Sequence, residues 1–104
     1  MLRINGQIFR SHVIVSAELI MPDWKPRPIA ELQIDDFQAA LDRQPETILF
    51  GTGAQHRFIS NFLLTAIMSQ GIGFEVMSTA AACRTYNLLL GEDRQVVAAL
   101  LLPV

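Results

Sequence analysis

Residues 73 to 90 read GFEVMSTAAACRTYNLLL, an apolar strand that runs through a Ser-Thr turn into a helix with no linker between them. Phe74 to Met77 supply the strand. Ser78 or Thr79 supplies a hydroxyl able to accept from the free N–H groups of a helix start, and the alanine-led run from about Ala80 to Leu90 has the composition to propagate that helix until Gly91 stops it. A strand that turns directly into a capped helix marks the edge of an α/β sheet, which is where such folds place their ligand sites.

The pattern repeats on either side. Upstream, Glu46 to Phe50 reads as a short buried strand, Gly51-Thr52-Gly53 as the turn beyond it, and Phe58 to Gln70 as a helix closed by Gly71. The apolar stripe of that helix is Phe58, Ile59, Phe62, Leu63, Ala66 and Ile67. Downstream, Gln95 to Leu102 forms the last strand. Ahead of these units, Leu2 to Phe9 reads as a strand pair or a single strand with a turn at Asn5-Gly6, and His12 to Met21 as a second strand rich in β-branched residues. Pro22, Pro26 and Pro28 then hold Trp24 on a stiff loop, and a helix starts at Asp35 or Asp36 and runs to Arg43. The resulting order, two strands followed by three αβ units, places helices against a mainly parallel sheet in one α/β domain. Leu49, Phe62, Val76, Tyr86 and Val97 are expected inside it.

Composition narrows the function. Of 104 residues, 51% are apolar and 17% charged, which is ample for a core and argues against disorder. Eight basic and ten acidic side chains give a formal charge of −2, with Lys25 the sole lysine and no basic cluster, so phosphate-driven nucleic-acid binding is not expected. The single cysteine, Cys83, has no partner for an internal disulfide and fits a reducing compartment. The opening residues lack the apolar core of a secretory signal, and every apolar run falls short of the roughly 20 residues of a membrane span. The expectation is a soluble, cytoplasmic protein with at most peripheral membrane association.

Candidate sites are few. Gly51, Thr52 and Gly53 follow a strand and precede a helix, where backbone N–H groups can cradle an anion, although the lysine of a P-loop and the third glycine of a dinucleotide fingerprint are missing. A tight turn needing positive φ explains the glycines equally well. Thr79 lies at the neighbouring strand end, and Arg84 and Asn87 follow on the helix shoulder, so the six residues outline a possible cleft for an anion or a partner's carboxylate. Cys83 has no histidine nearby in sequence to activate it and reads as a small buried hydrophobe. His12 and His56 have no companions at metal-ligand spacing, and no cofactor is implied. On the outer face of the second helix Leu64 and Met68 lie four residues apart; with Trp24 they outline an apolar patch for a partner, unless loop and helix fold back and bury all three.

Four stretches carry a family resemblance: Pro22 with Trp24, ILFGTG at 48–53, GIGFEVMST at 71–79, and AAACRTYNLLLGEDRQVVAAL at 80–100. Together they resemble a small family of uncharacterised bacterial proteins that also includes a mitochondrial assembly factor for respiratory complex I and the adipogenesis-associated Mth-type domain protein. The resemblance implies a single three-layer domain with a central mixed β-sheet flanked by helices. It also implies an accessory or assembly role through binding another protein, with no catalytic constellation required. The competing expectations are an anion binder or unrecognised enzyme at the Gly51–Gly53, Thr79 and Arg84 cleft, and a plain homo-oligomer.

Overall fold

The computed structural model describes residues 1–4 and 6–103. Among the described residues seven strands form: β1 (Leu2–Ile4), β2 (Gln7–Phe9), β3 (Val13–Val15), β4 (Ile20–Pro22), β5 (Thr47–Gly51), β6 (Gly73–Met77) and β7 (Val96–Leu100). The helices are α1 (Gln38–Leu41), α2 (Asn61–Met68) and α3 (Thr79–Gly91), with 3-10 turns at Ile29–Glu31 and Ile34–Phe37. β1 and β2 make a separate antiparallel hairpin, and the other five strands make a mixed sheet in the order β4-β3-β7-β5-β6. β5 runs parallel to both β6 and β7, while β3 is antiparallel to β7 and β4.

The period-2 alternation of the strands sorts their side chains onto two cores. Ile14, Ile48, Phe50, Phe74, Val97 and Ala99 point to one face, where α1, α2 and Trp24 cover them. Val13, Val15, Leu49, Val96, Ala98 and Leu100 point to the other, beneath α3 and the β1–β2 hairpin. β7, with every residue buried, therefore serves both layers. A strand covered on two sides must be apolar throughout, which is why VVAAL stands at its place.

Three expectations change. Residues 12–21 form two strands, because Ser16 and Leu19 close a turn by exchanging backbone hydrogen bonds (Ser16 N–H to Leu19 O 2.7 Å, and the reverse at 3.4 Å). Their β-branched content was legible but the four-residue turn was not, since it holds no Gly, Pro, Asn or Asp. Pro22, expected outside regular structure, ends β4, an edge position where the missing N–H costs no ladder bond. Phe62, expected in the core, is 86% exposed. The turn at Asn5-Gly6 is supported at Gly6, whose φ is +80°; Asn5 lies outside the described residues.

Trp24 is a further correction. The proline-rich loop folds back over the sheet, leaving this ring 6% exposed. Its Nε1–H donates to the Asp36 carbonyl at 2.9 Å, and its ring meets Phe37 and Phe50 at centroid distances of 5.6 and 6.2 Å. Asp36 organises the fold-back. Its carboxylate accepts from the N–H groups of Gln33 and Arg27 and from the Arg27 guanidinium, so one side chain closes the capping box and anchors the loop. Arg27 also pairs with Asp35, holding that carboxyl below its usual range.

Candidate functional site

The C-terminal ends of β5, β6 and β7 meet the start of α3, and the sequence-predicted loop lies at that junction. Gly51, Thr52 and Gly53 are all buried, as is Thr79, at 1% exposure. Their polar groups are turned on one another. The Gly53 N–H donates to Thr79 Oγ1 at 2.8 Å, the Thr79 N–H donates back to the Gly53 carbonyl at 2.9 Å, and the Thr79 hydroxyl donates to the Leu101 carbonyl at 2.7 Å. Thr52 N–H donates to the Met77 carbonyl at 2.8 Å, and the Thr52 hydroxyl accepts from Arg57 N–H at 3.1 Å. These bonds stitch three strand ends to one helix. The two glycines have different reasons. Gly53 adopts φ +100°, whereas a Cβ on Gly51 would stand 2.8 Å from the Thr79 Cα, so only glycine lets strand and helix approach.

Ser78 is the N-cap of α3, its hydroxyl accepting from Ala81 N–H at 3.3 Å. Arg84 and Asn87 are exposed on the next turns, about 7 and 12 Å further along the axis at 1.5 Å per residue. The structure thus brings Gly51, Thr52, Gly53 and Thr79 together and sets Arg84 and Asn87 apart from them on the helix surface. Cys83 is half-buried beside the second core, and burial pushes its thiol up, away from the reactive thiolate. No group of three His, Cys, Asp or Glu residues able to hold a metal ion occurs among the described residues. A cavity of about 560 Å³ opens at the opposite end of the sheet, lined by Ser16, Arg43, Leu90, Arg94 and Gln95 among others. None of the six sequence-predicted cleft residues lines it.

The apolar surface differs from expectation in membership. Trp24 is inside, and Leu64 is half-buried against the first core, while Met68 remains 51% exposed. The side chains that project are Phe58, 87% exposed, and Phe62, 86% exposed. Ser60 explains the first. It is the N-cap of α2, its hydroxyl accepting from Leu63 N–H at 3.1 Å, so Phe58 precedes the helix altogether and packs edge-on against His56. For Phe62 the reason is rotational: the column Ile59, Leu63, Ile67 faces the core, and the flank that turns in with it is Leu64 instead of Phe62. A signal was present. From Thr47 to Phe74 the sequence has one charged side chain, Arg57, and a serine stands where the helix begins.

A profile described as "Protein of unknown function (DUF498/DUF598)" matches residues 1–101. An uncharacterised protein of Rhodobacter capsulatus is 39% identical over 101 residues, 95% of this chain and 75% of its own length. The zebrafish (Danio rerio) NADH dehydrogenase [ubiquinone] 1 alpha subcomplex assembly factor 3 is 38% identical over 63 residues, 61% of this chain and only 36% of that protein. Among solved structures, a Bordetella pertussis protein described as a Mth938-like domain superposes with a TM-score of 0.77 at 26% identity, covering 93% of this chain and 77% of its own. The mixed sheet between helical layers is therefore shared with that solved structure.

Proposed function

We infer function from one premise: the chain is a member of the DUF498/DUF598 family. On that premise we propose a non-catalytic accessory protein that acts by binding another protein, in the manner of an assembly factor. The observation that carries the reading is the pair Phe58 and Phe62. Two phenylalanines almost wholly in water cost apolar hydration without return in an isolated domain, and aromatic side chains on a surface depleted of charge are the character of an interface core. The likeness to an NADH dehydrogenase assembly factor supports the class of role. The inward-turned hydrogen bonds around Thr79, and the raised thiol of Cys83, fit a protein whose chemistry is recognition.

The test is co-purification of the tagged chain from its native host, wild type against Phe58→Ser combined with Phe62→Ser. The variant should lose the co-purifying protein while its stability shifts by less than about 0.5 kcal/mol, as exposed sites do. Retention of the same partner at the same yield would end this reading.

A further inference from the structure

The sheet has two free edges, and they are unequal. β4 is three residues long and ends in Pro22, a blunted edge. β6 has five residues and no proline. Its parallel register with β5 turns the backbone groups of Gly73, Glu75 and Met77 inward: Gly73 N–H donates to the Glu46 carbonyl at 2.9 Å, and the Met77 carbonyl accepts from Thr52. By alternation the N–H and C=O of Phe74 and Val76 face outward along the open edge.

Glu75 stands at the middle of this strand. It is exposed, and its carboxylate takes part in none of the ion pairs among the described residues. If β6 met the β6 of a second copy in an antiparallel pair centred on the strand, the two Glu75 side chains would stand directly opposite. That would be a non-hydrogen-bonded pair, the kind in which side chains come closest, and like charges there repel. The edge is thus open to a strand and closed to its own copy. A strand with a basic residue at that place meets the opposite condition.

The surroundings extend the pattern. Glu75 lies on the α3 face of the sheet, since its partner in register, Leu49, belongs to the core beneath α3. Phe74 and Val76 lie on the α2 face, and α2 packs on β6 with no charged residue from Asn61 to Met68 and with Phe62 projecting.

We propose that the β6 edge takes an extended segment of a partner protein as a sixth strand. A lysine or arginine of that segment pairs with Glu75, and its two neighbours, on the opposite face, are apolar and lie on the side of Phe62. This rests on the protein-binding reading above and narrows it to strand addition, in which main-chain bonds supply affinity and alternate side chains supply specificity.

The test uses the full chain, ¹⁵N-labelled, titrated with two short synthetic β-prone peptides that differ only in a central Lys or Glu. The Lys peptide should protect the amides of Phe74 and Val76 from exchange, the Glu peptide should not bind, and Glu75→Lys should reverse the preference. Protection elsewhere, no binding by either peptide, or a preference that survives Glu75→Lys overturns the proposal. Glu75→Thr gives a second measurement by analytical ultracentrifugation: with the repulsion removed, the variant should dimerise where the wild type is monomeric. A monomeric Glu75→Thr, or a wild type already dimeric through β6, also overturns it. If strand addition fails while the Phe58/Phe62 double variant still loses its co-purifying protein, the broader reading stands without this edge; unchanged co-purification is the separate failure of that reading.

Discussion

Thr79 shows how one side chain can be correctly located from sequence and still do something unexpected. Its position at the strand-to-helix junction was legible, because Ser-Thr after an apolar run is a capping signal. The cap is its neighbour Ser78; Thr79 instead joins Gly53 to Leu101 across 26 and 22 residues, a long-range pairing that no local pattern encodes. Thr79→Val keeps the shape but leaves the Gly53 N–H and the Leu101 carbonyl without their partner. At about 1–3 kcal/mol for the buried Gly53 N–H left unsatisfied, and less for the part-buried Leu101 carbonyl, urea denaturation should show a loss of about 2–4 kcal/mol, with Thr79→Ser recovering most of it. A loss under about 1 kcal/mol for Thr79→Val would mean the junction is not held this way. His12 belongs to the same junction, its Nδ1 accepting from the Leu102 N–H at 2.9 Å, a bond only a ring unprotonated at that nitrogen can make. Burial lowers this imidazole below its ordinary 6.5. Between that lowered value and 6.5 the unfolded chain binds a proton that the folded chain refuses, so stability present above 6.5 is lost as pH falls through the window. Tm should drop on going from about pH 7 to about pH 5, and the drop should shrink in His12→Gln. Identical pH profiles for the two proteins would remove His12 from the account.

At the scale of elements, α2 marks where periodicity stops informing. Ile59, Leu63 and Ile67 form an unambiguous apolar column, but both flanks are apolar too, Phe58 and Phe62 on one side and Leu64 and Met68 on the other. A hydrophobic stripe wider than the surface it covers does not reveal which shoulder turns in; the neighbouring elements decide, and they are not local in sequence. Here the core that includes Trp24, Phe37, Phe50 and Phe74 has Leu64 packed against it. Leu64→Gln and Met68→Gln should therefore part company. The first should cost about 1–2 kcal/mol by thermal or urea unfolding, and the second less than about 0.5 kcal/mol. Equal effects would mean that α2 sits in a different rotation. The parallel strands β5, β6 and β7 and the helix α3 were readable because each is a run of one period bounded by turn residues. The burial of Trp24 was not, because it depends on Asp36 drawing a proline-fixed loop back across the sheet, and a carboxylate's choice of distant donors leaves no periodic trace.

For the molecule as a whole, the two cores share a sheet, and β7 contributes to both through Val97 and Ala99 on one face and Val96, Ala98 and Leu100 on the other. Both layers are built on this one sheet, so the domain should unfold in one step. Trp24, the single tryptophan, reports the first core by its buried fluorescence; far-UV circular dichroism reports all of the secondary structure. The two transitions should coincide in urea, and separated midpoints would show that the α3 layer melts independently. The same strand order has a further consequence during synthesis. Reading β4-β3-β7-β5-β6 by the order in which strands leave the ribosome, the β3–β4 hairpin appears first and the β5–β6 pair next, and the strand that lies between them is the last of the seven to be made. Until Val96 to Leu100 clears the exit tunnel, both pieces hold out an unpaired inner edge to solvent, and a nascent chain paused there is at its most adhesive.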